Sequence, residues 1–251
     1  SVKNVPFFNY PAVYLRFAAE FQRALDDVGR RGAFIQQVDI AEFEGEVASY
    51  TGVRRCVTMS NATVGLQLAM VAGGLPEGAE VIISSHTMVA TAASIVHAGG
   101  VPIPVEVGSD HQIDPQAISA AIGPRTHAIC PTQLNGRTSD MNAIQGIADE
   151  FGLQIYEDAA QALGSRFQGR AAGSWGVGSC LSFYPAKILG TLGDGGAVLT
   201  NSSEIAEELL LLRDHGRVDR GDTIRWGFNA RMDNLAAAFL RIQLRHFDET
   251  V

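Results

Sequence analysis

The sequence predicts an α/β domain with a mostly parallel central sheet and helices on both faces. From residue 53 onward, short apolar runs rich in Val and Ile alternate with segments of helical periodicity. About one helix and two loops separate each run from the next, which is the spacing of repeated strand–helix–strand units. The predicted strands are Arg54–Thr58, Val81–Ser84, Val101–Val105, His127–Pro131 and Leu153–Glu157.

Local signals at the helix ends agree with this pattern. Asp114 and Pro115 supply a cap and a first-turn proline for one helix, and Asp140 precedes another at Met141–Phe151. The helix that follows the first strand is expected at Val64–Ala72. Each of these helices therefore begins shortly after a predicted strand or turn.

Further helices are predicted before and after the sheet. Residues 12–28 and Asp39–Tyr50 form two helices within an N-terminal helical segment of about residues 1–52. After the fifth strand, a Gly-rich turn leads into another strand and then into two helices, at about Ser203–His215 and Met232–Phe247. Because no repeat, low-complexity stretch or flexible linker divides the chain, residues 1–251 are predicted to form one large domain.

Composition and charge exclude several classes of protein. The chain is 46% hydrophobic and can bury a full core, and its net charge of -8 argues against a nucleic-acid partner. Cys56, Cys130 and Cys180 lie in or beside apolar runs without a Cys-x-x-Cys pair, which favours buried thiols in a reducing compartment over a zinc site. With no signal-peptide stretch and no apolar run of about 20 residues, we expect a cytoplasmic protein without a membrane partner or metal.

A possible anion site follows the first predicted strand. Ser60 to Thr63 open a helix with small polar residues, whose free backbone N–H groups and helix dipole favour negative charge. Such a segment is more often an ordinary helix cap. Its position favours an anion, because ligands of open α/β sheets bind outside the carboxyl ends of the strands.

Three other strand ends carry reactive side chains. His86 follows the second strand with a flat imidazole, Asp158 ends the fifth, and Ser182 precedes Lys187. A lysine amine can hold the aldehyde of pyridoxal phosphate as a Schiff base, and an aspartate facing the pyridine nitrogen keeps that ring protonated. Singly, each residue has a more common role as a surface or capping group. Together they indicate a pyridoxal phosphate site.

Four motifs in this order resemble those of the DegT/DnrJ/EryC1/StrS aminotransferases. The resemblance extends over nearly the whole chain from about Val5, and implies the large domain of a fold-type-I pyridoxal phosphate-dependent transferase. Members of this family aminate keto sugars, usually nucleotide-linked, and the amino donor by analogy is an amino acid, glutamate. The motifs are Glu157-Asp158-Ala159-Ala160-Gln161-Ala162, Ser182-Phe183-Tyr184-Pro185-Ala186-Lys187, Gly193-Asp194-Gly195-Gly196-Ala197 and Asn229-Ala230-Arg231-Met232-Asp233.

The resemblance implies catalytic roles for two of these residues. Lys187 would form the internal aldimine and then move the proton between the donor and the cofactor. Asp158 would pair with the pyridine nitrogen, and Gln161 would lie near the phenolic oxygen of the cofactor.

The same resemblance implies how the rest of the cofactor is held. Ala62, Thr63 and Ser182 would bind the phosphate, and His86 would stack on the ring. Asn229 would reach the phosphate of the neighbouring subunit, so a homodimer is implied.

Some positions depart from the family pattern. Gln133 and Asn135 stand where the family often has His and Tyr, at positions that face the substrate, so the sugar is not identified. Relatives also continue through a smaller C-terminal domain that is expected to be absent after Val251. The chain is then either a fragment or incomplete as a catalyst.

Alternative functions follow from these departures. One is a non-catalytic or regulatory domain that only binds pyridoxal phosphate, and another is an aminotransferase of keto-cyclitols. A Rossmann dehydrogenase is disfavoured because the glycine cluster at 190–196 leads into a strand. A family dehydratase is disfavoured because it would carry His in place of Lys187. Some guanidinium groups could pair with a nucleotide diphosphate, but most of them are more often ordinary surface charges, and none is assigned to the site. They are those of Arg30, Arg31, Arg217, Arg225 and Arg231.

Overall fold

A seven-stranded mixed sheet organises the structure, a computed structural model that describes residues 5–218 and 221–249. The order of strands across this sheet is β1-β9-β8-β5-β4-β2-β3. Two short strands, β6 and β7, form a separate antiparallel ribbon. Each has only two residues, which is too short for a strand pattern to be recognised in the sequence. The strands are β1 (Arg55–Met59), β2 (Glu80–Ser84), β3 (Val101–Val105), β4 (Thr126–Cys130), β5 (Gln154–Asp158), β6 (Arg166–Phe167), β7 (Arg170–Ala171), β8 (Gly178–Ser182) and β9 (Gly196–Thr200).

The mostly parallel sheet expected from the sequence is confirmed. Strands β8, β5, β4, β2 and β3 run parallel, whereas β9 is antiparallel to both of its neighbours. In the register of β9, Gly196 lies opposite Met59 of β1 and opposite Ser182 of β8. The start of β9 is therefore at the same sheet edge as the carboxyl ends of β1 and β8.

Helices cover both faces of the sheet, as expected. The strands alternate their side chains between the faces, so that Val198 of β9 joins one core whereas Ala197 and Leu199 join another. Helices α3, α4 and α7 contribute to the first core, α2 and α8 to the second, and α5 and α6 to a third. The helices are α1 (Tyr10–Arg31), α2 (Val38–Thr51), α3 (Ala62–Ala72), α4 (Val89–His97), α5 (Pro115–Ala121), α6 (Met141–Phe151), α7 (Ser203–Arg213) and α8 (Asn234–Leu244).

Helix boundaries follow local capping chemistry. Helix α1 is longer than the predicted 12–28 because the Asn9 side chain accepts a hydrogen bond from the Ala12 N–H, and Gly32 ends the helix at a φ of 62°. Asp114 and Asp140 cap α5 and α6, as their positions in the sequence indicate. These ends are therefore set by single residues and were largely readable from the sequence.

The N-terminal helical segment packs on the last helix of the described chain. Phe17 and Phe21 of α1 form a small core with Phe239 and Ile242 of α8. The buried amide of Asn234 donates to the Asp39 carboxylate at 2.7 Å and to a backbone carbonyl at 2.8 Å. This packing holds α2 near the sheet.

Within residues 5–218 and 221–249, no helix combines the length and apolar character needed to cross a membrane.

Candidate active site

The predicted site residues collect at one edge of the sheet. Asp158 ends β5 opposite Cys180 of β8, and an isolated parallel bridge links it to Thr132 beyond β4. Ser182 ends β8 opposite Gly196. Because the start of β9 also faces the end of β1, the acid, the serine and the segment that opens α3 follow one another along this edge.

The first turn of α3 presents free backbone donors. The Asn61 side chain accepts from the Val64 N–H at 2.9 Å, and the Asn61 carbonyl accepts from the Gly65 N–H at 3.1 Å. The N–H groups of Ala62 and Thr63 have no acceptor in the described part of the chain. This pair of donors at the positive end of the helix suits an anion.

Gly196 allows this helix end to lie against the sheet. A Cβ added at Gly196 would lie 2.4 Å from the carbonyl carbon of Asn61 and 2.5 Å from the nitrogen of Ala62. Any larger residue would therefore push the first turn of α3 away. The glycine of this motif is explained by a close approach between two backbones.

Lys187 lies in the loop between β8 and β9, which returns to the same sheet edge. The Phe183 N–H donates to the Gly195 carbonyl and the Thr191 N–H to the Phe183 carbonyl, both at 2.8 Å. Lys187 is half-buried, and its ammonium forms no ion pair with a carboxylate of the described residues. Since Lys3 is the only other lysine in the sequence, Lys187 is the amine available at this edge.

Asp158 is buried among hydrogen-bond donors. Its Oδ2 accepts from the Thr91 hydroxyl at 2.6 Å, and its Oδ1 accepts from the Ala160 N–H at 3.1 Å. The Cys180 thiol lies 3.7 Å from Oδ1. Burial, with the charge of Asp158 added to it, raises the pKa of Cys180 well above its ordinary value, so this neighbour stays a neutral thiol. Cys130 behaves in the same way.

Two further hydroxyls continue from Thr91. Thr87 lies 2.7 Å from the Thr91 hydroxyl and 2.7 Å from the Thr132 hydroxyl. None of Thr87, Thr91 and Thr132 was predicted from the sequence as a site residue. The four-residue spacing of Thr87 and Thr91 at the start of a helix was the available signal.

The expectation that Gln133 faces the substrate is wrong. Gln133 is fully buried, donates to the Glu157 carboxylate at 2.7 Å and accepts from the Ser139 N–H at 2.7 Å. Burial raises the pKa of Glu157, although the N–H groups of Gly173 and Trp175 and the Gln133 amide oppose the shift. Gln133 therefore satisfies a buried acid behind the site, which only the tertiary structure reveals.

Asn135 and Gln161 meet on the open side of the site. The Asn135 N–H donates to Oε1 of Gln161 at 3.0 Å, and Asn135 itself is exposed with a φ of 54°. The amide nitrogen of Gln161 has no acceptor in residues 5–218 and 221–249, so it remains a free donor. His86 is also exposed, and its ring makes an edge-on contact with His111 at a centroid distance of 5.8 Å.

Asn229 differs from the other predicted residues, because it does not belong to a strand end of the sheet. It is exposed and its backbone forms an antiparallel bridge with Asp214. The next residue, Ala230, accepts from the Ser60 N–H at 2.8 Å. Asn229 therefore lies on a segment that is anchored beside the start of α3.

The five candidate arginines are all engaged by carboxylates. Arg217 and Arg231 both contact Asp214, at 2.6 and 2.7 Å. Burial by itself would raise the pKa of Asp214, but these two guanidinium groups hold it below its ordinary value. The remaining pairs are Arg30 with Asp26, Arg31 with Asp27 and Asp39, and Arg225 with Glu208. In the described residues, no cluster of three or more His, Cys, Asp or Glu could hold a metal ion.

Comparison with known proteins shows the family of this chain. The sequence profile of the DegT/DnrJ/EryC1/StrS aminotransferase family matches residues 16–251. The erythromycin biosynthesis sensory transduction protein EryC1 of Saccharopolyspora erythraea is 41% identical over 98% of this chain and 68% of its own length. The dTDP-3-amino-3,4,6-trideoxy-alpha-D-glucose transaminase of Streptomyces venezuelae is 40% identical over 98% of this chain and 65% of its own.

A solved structure gives the same result for the fold. The crystal structure of S. venezuelae DesV in complex with a ketimine intermediate superposes with a TM-score of 0.96 at 40% identity. The match covers 99% of this chain and 67% of that one. The chain thus spans about two thirds of the length of these relatives.

The contact between Gly196 and α3 leads to a first prediction. Gly196→Ala should displace the N–H groups of Ala62 and Thr63, and losing two hydrogen bonds of about 1 kcal/mol each weakens pyridoxal phosphate binding roughly 30-fold. Gly193→Ala is the matched control, because a Cβ there meets no atom within 4 Å. Titration of both purified variants with pyridoxal phosphate measures the difference. Equal affinities would contradict a phosphate site at the start of α3.

Proposed function

Because the chain belongs to the DegT/DnrJ/EryC1/StrS aminotransferase family, we propose that it transfers an amino group from glutamate to a nucleotide-linked keto sugar with pyridoxal 5'-phosphate. One observation carries this proposal. A buried carboxylate, Asp158, an amine without an ion pair, Lys187, and the free N–H groups that open α3 lie along one edge of the sheet.

The groups at this edge fit the parts of the cofactor. The N–H groups of Ala62 and Thr63 with the Ser182 hydroxyl form a donor set for the phosphate. Because Gly196 has no side chain, the first turn of α3 can lie close enough to the sheet to contribute its two N–H groups. Asp158 supplies a negative charge for the ring nitrogen. The free amide of Gln161 can donate to the phenolic oxygen.

The mechanism assigns separate tasks to two side chains. When bound, pyridoxal phosphate supplies an aldehyde that condenses with amines and a ring that withdraws electrons. The Lys187 amine would hold that aldehyde, and once free it would act as the base and acid that moves the proton of the glutamate α-carbon. Asp158 stabilises positive charge at the ring nitrogen, and the buried setting strengthens this interaction. The same side chains act in reverse order when the ketone of the sugar accepts the amine.

Two further roles complete the proposed site. His86 is exposed where a flat ring can stack on the cofactor, and its contact with His111 limits its orientation. Asn229 would donate to the cofactor phosphate held by a second copy of the chain, and the working unit would then be a homodimer. The exposed position of Asn229 supports this role, because its side chain is accessible to a partner subunit.

The substrate class and cellular location are proposed on separate grounds. A relative of 40% identity is a transaminase of a dTDP-linked sugar, which supports a nucleotide-linked acceptor. Another relative carries the name of a sensory transduction protein, which favours a regulatory, non-catalytic binder as the second candidate. Three buried free thiols support a reducing location, the cytoplasm.

Absorbance and turnover measurements separate these functions. A catalytic chain loaded with pyridoxal phosphate loses the absorbance of the bound aldehyde when glutamate is added, whereas a binder retains it. Nucleotide-linked keto sugars are then compared with free keto-inositol as amine acceptors. We expect turnover of a nucleotide-linked sugar. Preference for keto-inositol would replace the substrate class, and a spectrum unchanged by glutamate would refute catalysis by this chain.

Lys187→Ala should abolish covalent attachment of the cofactor. Borohydride treatment of the wild-type chain with pyridoxal phosphate should label the peptide that contains Lys187, since the nucleophile must be an accessible amine. Lys3→Ala is the control and should keep the label, because it removes the only other lysine. Mass spectrometry of the peptides locates the label. A reducible linkage that persists in Lys187→Ala would overturn the assignment.

Mixing two inactive variants tests the role of Asn229. Lys187→Ala and Asn229→Ala chains should each lose conversion of the cofactor by glutamate, and co-refolding them should restore part of it. If Asn229 serves the partner subunit, each heterodimer holds one site with both residues intact. If it serves its own subunit, no site in the mixture is intact and the activity stays lost.

A further inference from the structure

We propose that the hydroxyls of Thr132, Thr87 and Thr91 form a one-way hydrogen-bond chain that orients Asp158 and stabilises its negative charge. Thr91 is then a positioning residue for the reaction. The inference rests on the proposed function only in taking Asp158 as the partner of the cofactor ring nitrogen. The hydrogen-bond chain itself does not depend on that function.

The direction of the chain follows from counting protons. Each hydroxyl has one proton and an ionised carboxyl has none, so Thr91 donates in its 2.6 Å contact with Asp158. Thr91 can therefore only accept from Thr87, at 2.7 Å. Since the proton of Thr87 is used in that contact, Thr132 donates in the second 2.7 Å contact. All three O–H dipoles consequently point toward the carboxylate.

Burial makes these bonds important. Asp158 is 7% exposed, and a buried charge is costly unless donors replace the water that it loses. The Thr91 bond is the shortest that the carboxylate accepts, because the Ala160 N–H is at 3.1 Å and the Cys180 thiol at 3.7 Å. Successive hydroxyls polarise one another and strengthen the bond to the charged end.

The chain also ties the acid to three elements of the fold. Thr132 follows β4, Thr87 follows β2 and Thr91 lies in the first turn of α4. Thr91 and Thr132 are buried and Thr87 is half-buried, so little water competes for their hydrogen bonds. The plane of the Asp158 carboxyl is thereby set before the cofactor arrives, and a preorganised charge needs no reorientation during the reaction.

Two spectroscopic measurements test this role. The first follows the carboxyl 13C signal of Asp158 in the cofactor-free chain, assigned by its loss in Asp158→Asn. The second follows the 15N signal of labelled pyridoxal phosphate bound to the chain at neutral pH. Thr91→Val removes the hydroxyl at constant shape, and Thr91→Ser restores it. Thr200→Val is the control, because it removes a buried hydroxyl that donates to the Val177 carbonyl at 2.7 Å at the other end of β9.

We expect Thr91→Val to shift the Asp158 carboxyl signal and to move the 15N signal toward that of an unprotonated ring. Without the Thr91 hydroxyl, the negative charge of Asp158 is less well stabilised. The proton between the ring nitrogen and the Asp158 carboxylate should therefore move toward the carboxylate. Thr91→Ser and Thr200→Val should keep both wild-type signals. Thr87→Val should shift them less, and the Thr87→Val/Thr91→Val double variant should match Thr91→Val, because Thr87 acts only through Thr91.

The outcomes are separable. An unchanged carboxyl signal in folded Thr91→Val, or additive shifts in the double variant, would overturn the hydroxyl chain. If Thr91→Val fails to fold, an unchanged carboxyl signal in Thr87→Val has the same meaning. The carboxyl signal could shift as expected in a protein that binds no pyridoxal phosphate at Lys187. That result would refute the proposed function but would support the hydrogen-bond chain of the three hydroxyls.

Discussion

The close approach of Gly196 to the backbone of Asn61 and Ala62 is the contact on which the site depends. It brings the positive end of α3 against the sheet edge where β1, β8 and β9 meet. The same edge receives the loop that carries Lys187. A mixed sheet is needed for this arrangement, because the antiparallel β9 starts where its neighbours end.

The second constraint is the burial of two adjacent acids at the end of β5. Glu157 and Asp158 point to opposite faces of the sheet, as consecutive strand residues do. Glu157 is satisfied by backbone N–H groups and by Gln133, whereas Asp158 is satisfied mainly by Thr91 and Ala160. Glu157 therefore supports the fold behind the site, and Asp158 is the acid that we propose as the partner of the cofactor ring.

Charged groups around the site are mostly committed to structure. Arg213 is buried against Glu44 and Thr58, and Asp214 holds Arg217 and Arg231. Lys187 contrasts with them because its ammonium has no carboxylate partner in the described residues. This absence of an ion pair is consistent with the amine role that we propose for Lys187.

The sequence by itself determined the elements and their polar ends. Strand spacing and caps such as Asp114 and Asp140 act over a few residues, so the α/β class, most of the helices and the strand-end position of Asp158 were predictable. Motif resemblance added Gln161 and Asn229. These signals are local or carried by short motifs, and they need no knowledge of which strands are neighbours.

Only the tertiary structure decided which side chains meet. Thr132, Thr87 and Thr91 come from three elements, and their link to Asp158 exists because β2, β4 and β5 are adjacent in the sheet. Gln133 was assigned to the substrate side but turns inward to Glu157, 24 residues away in sequence. Strand order and side-chain direction are set by packing across the whole sheet, and a linear pattern of residues does not contain them.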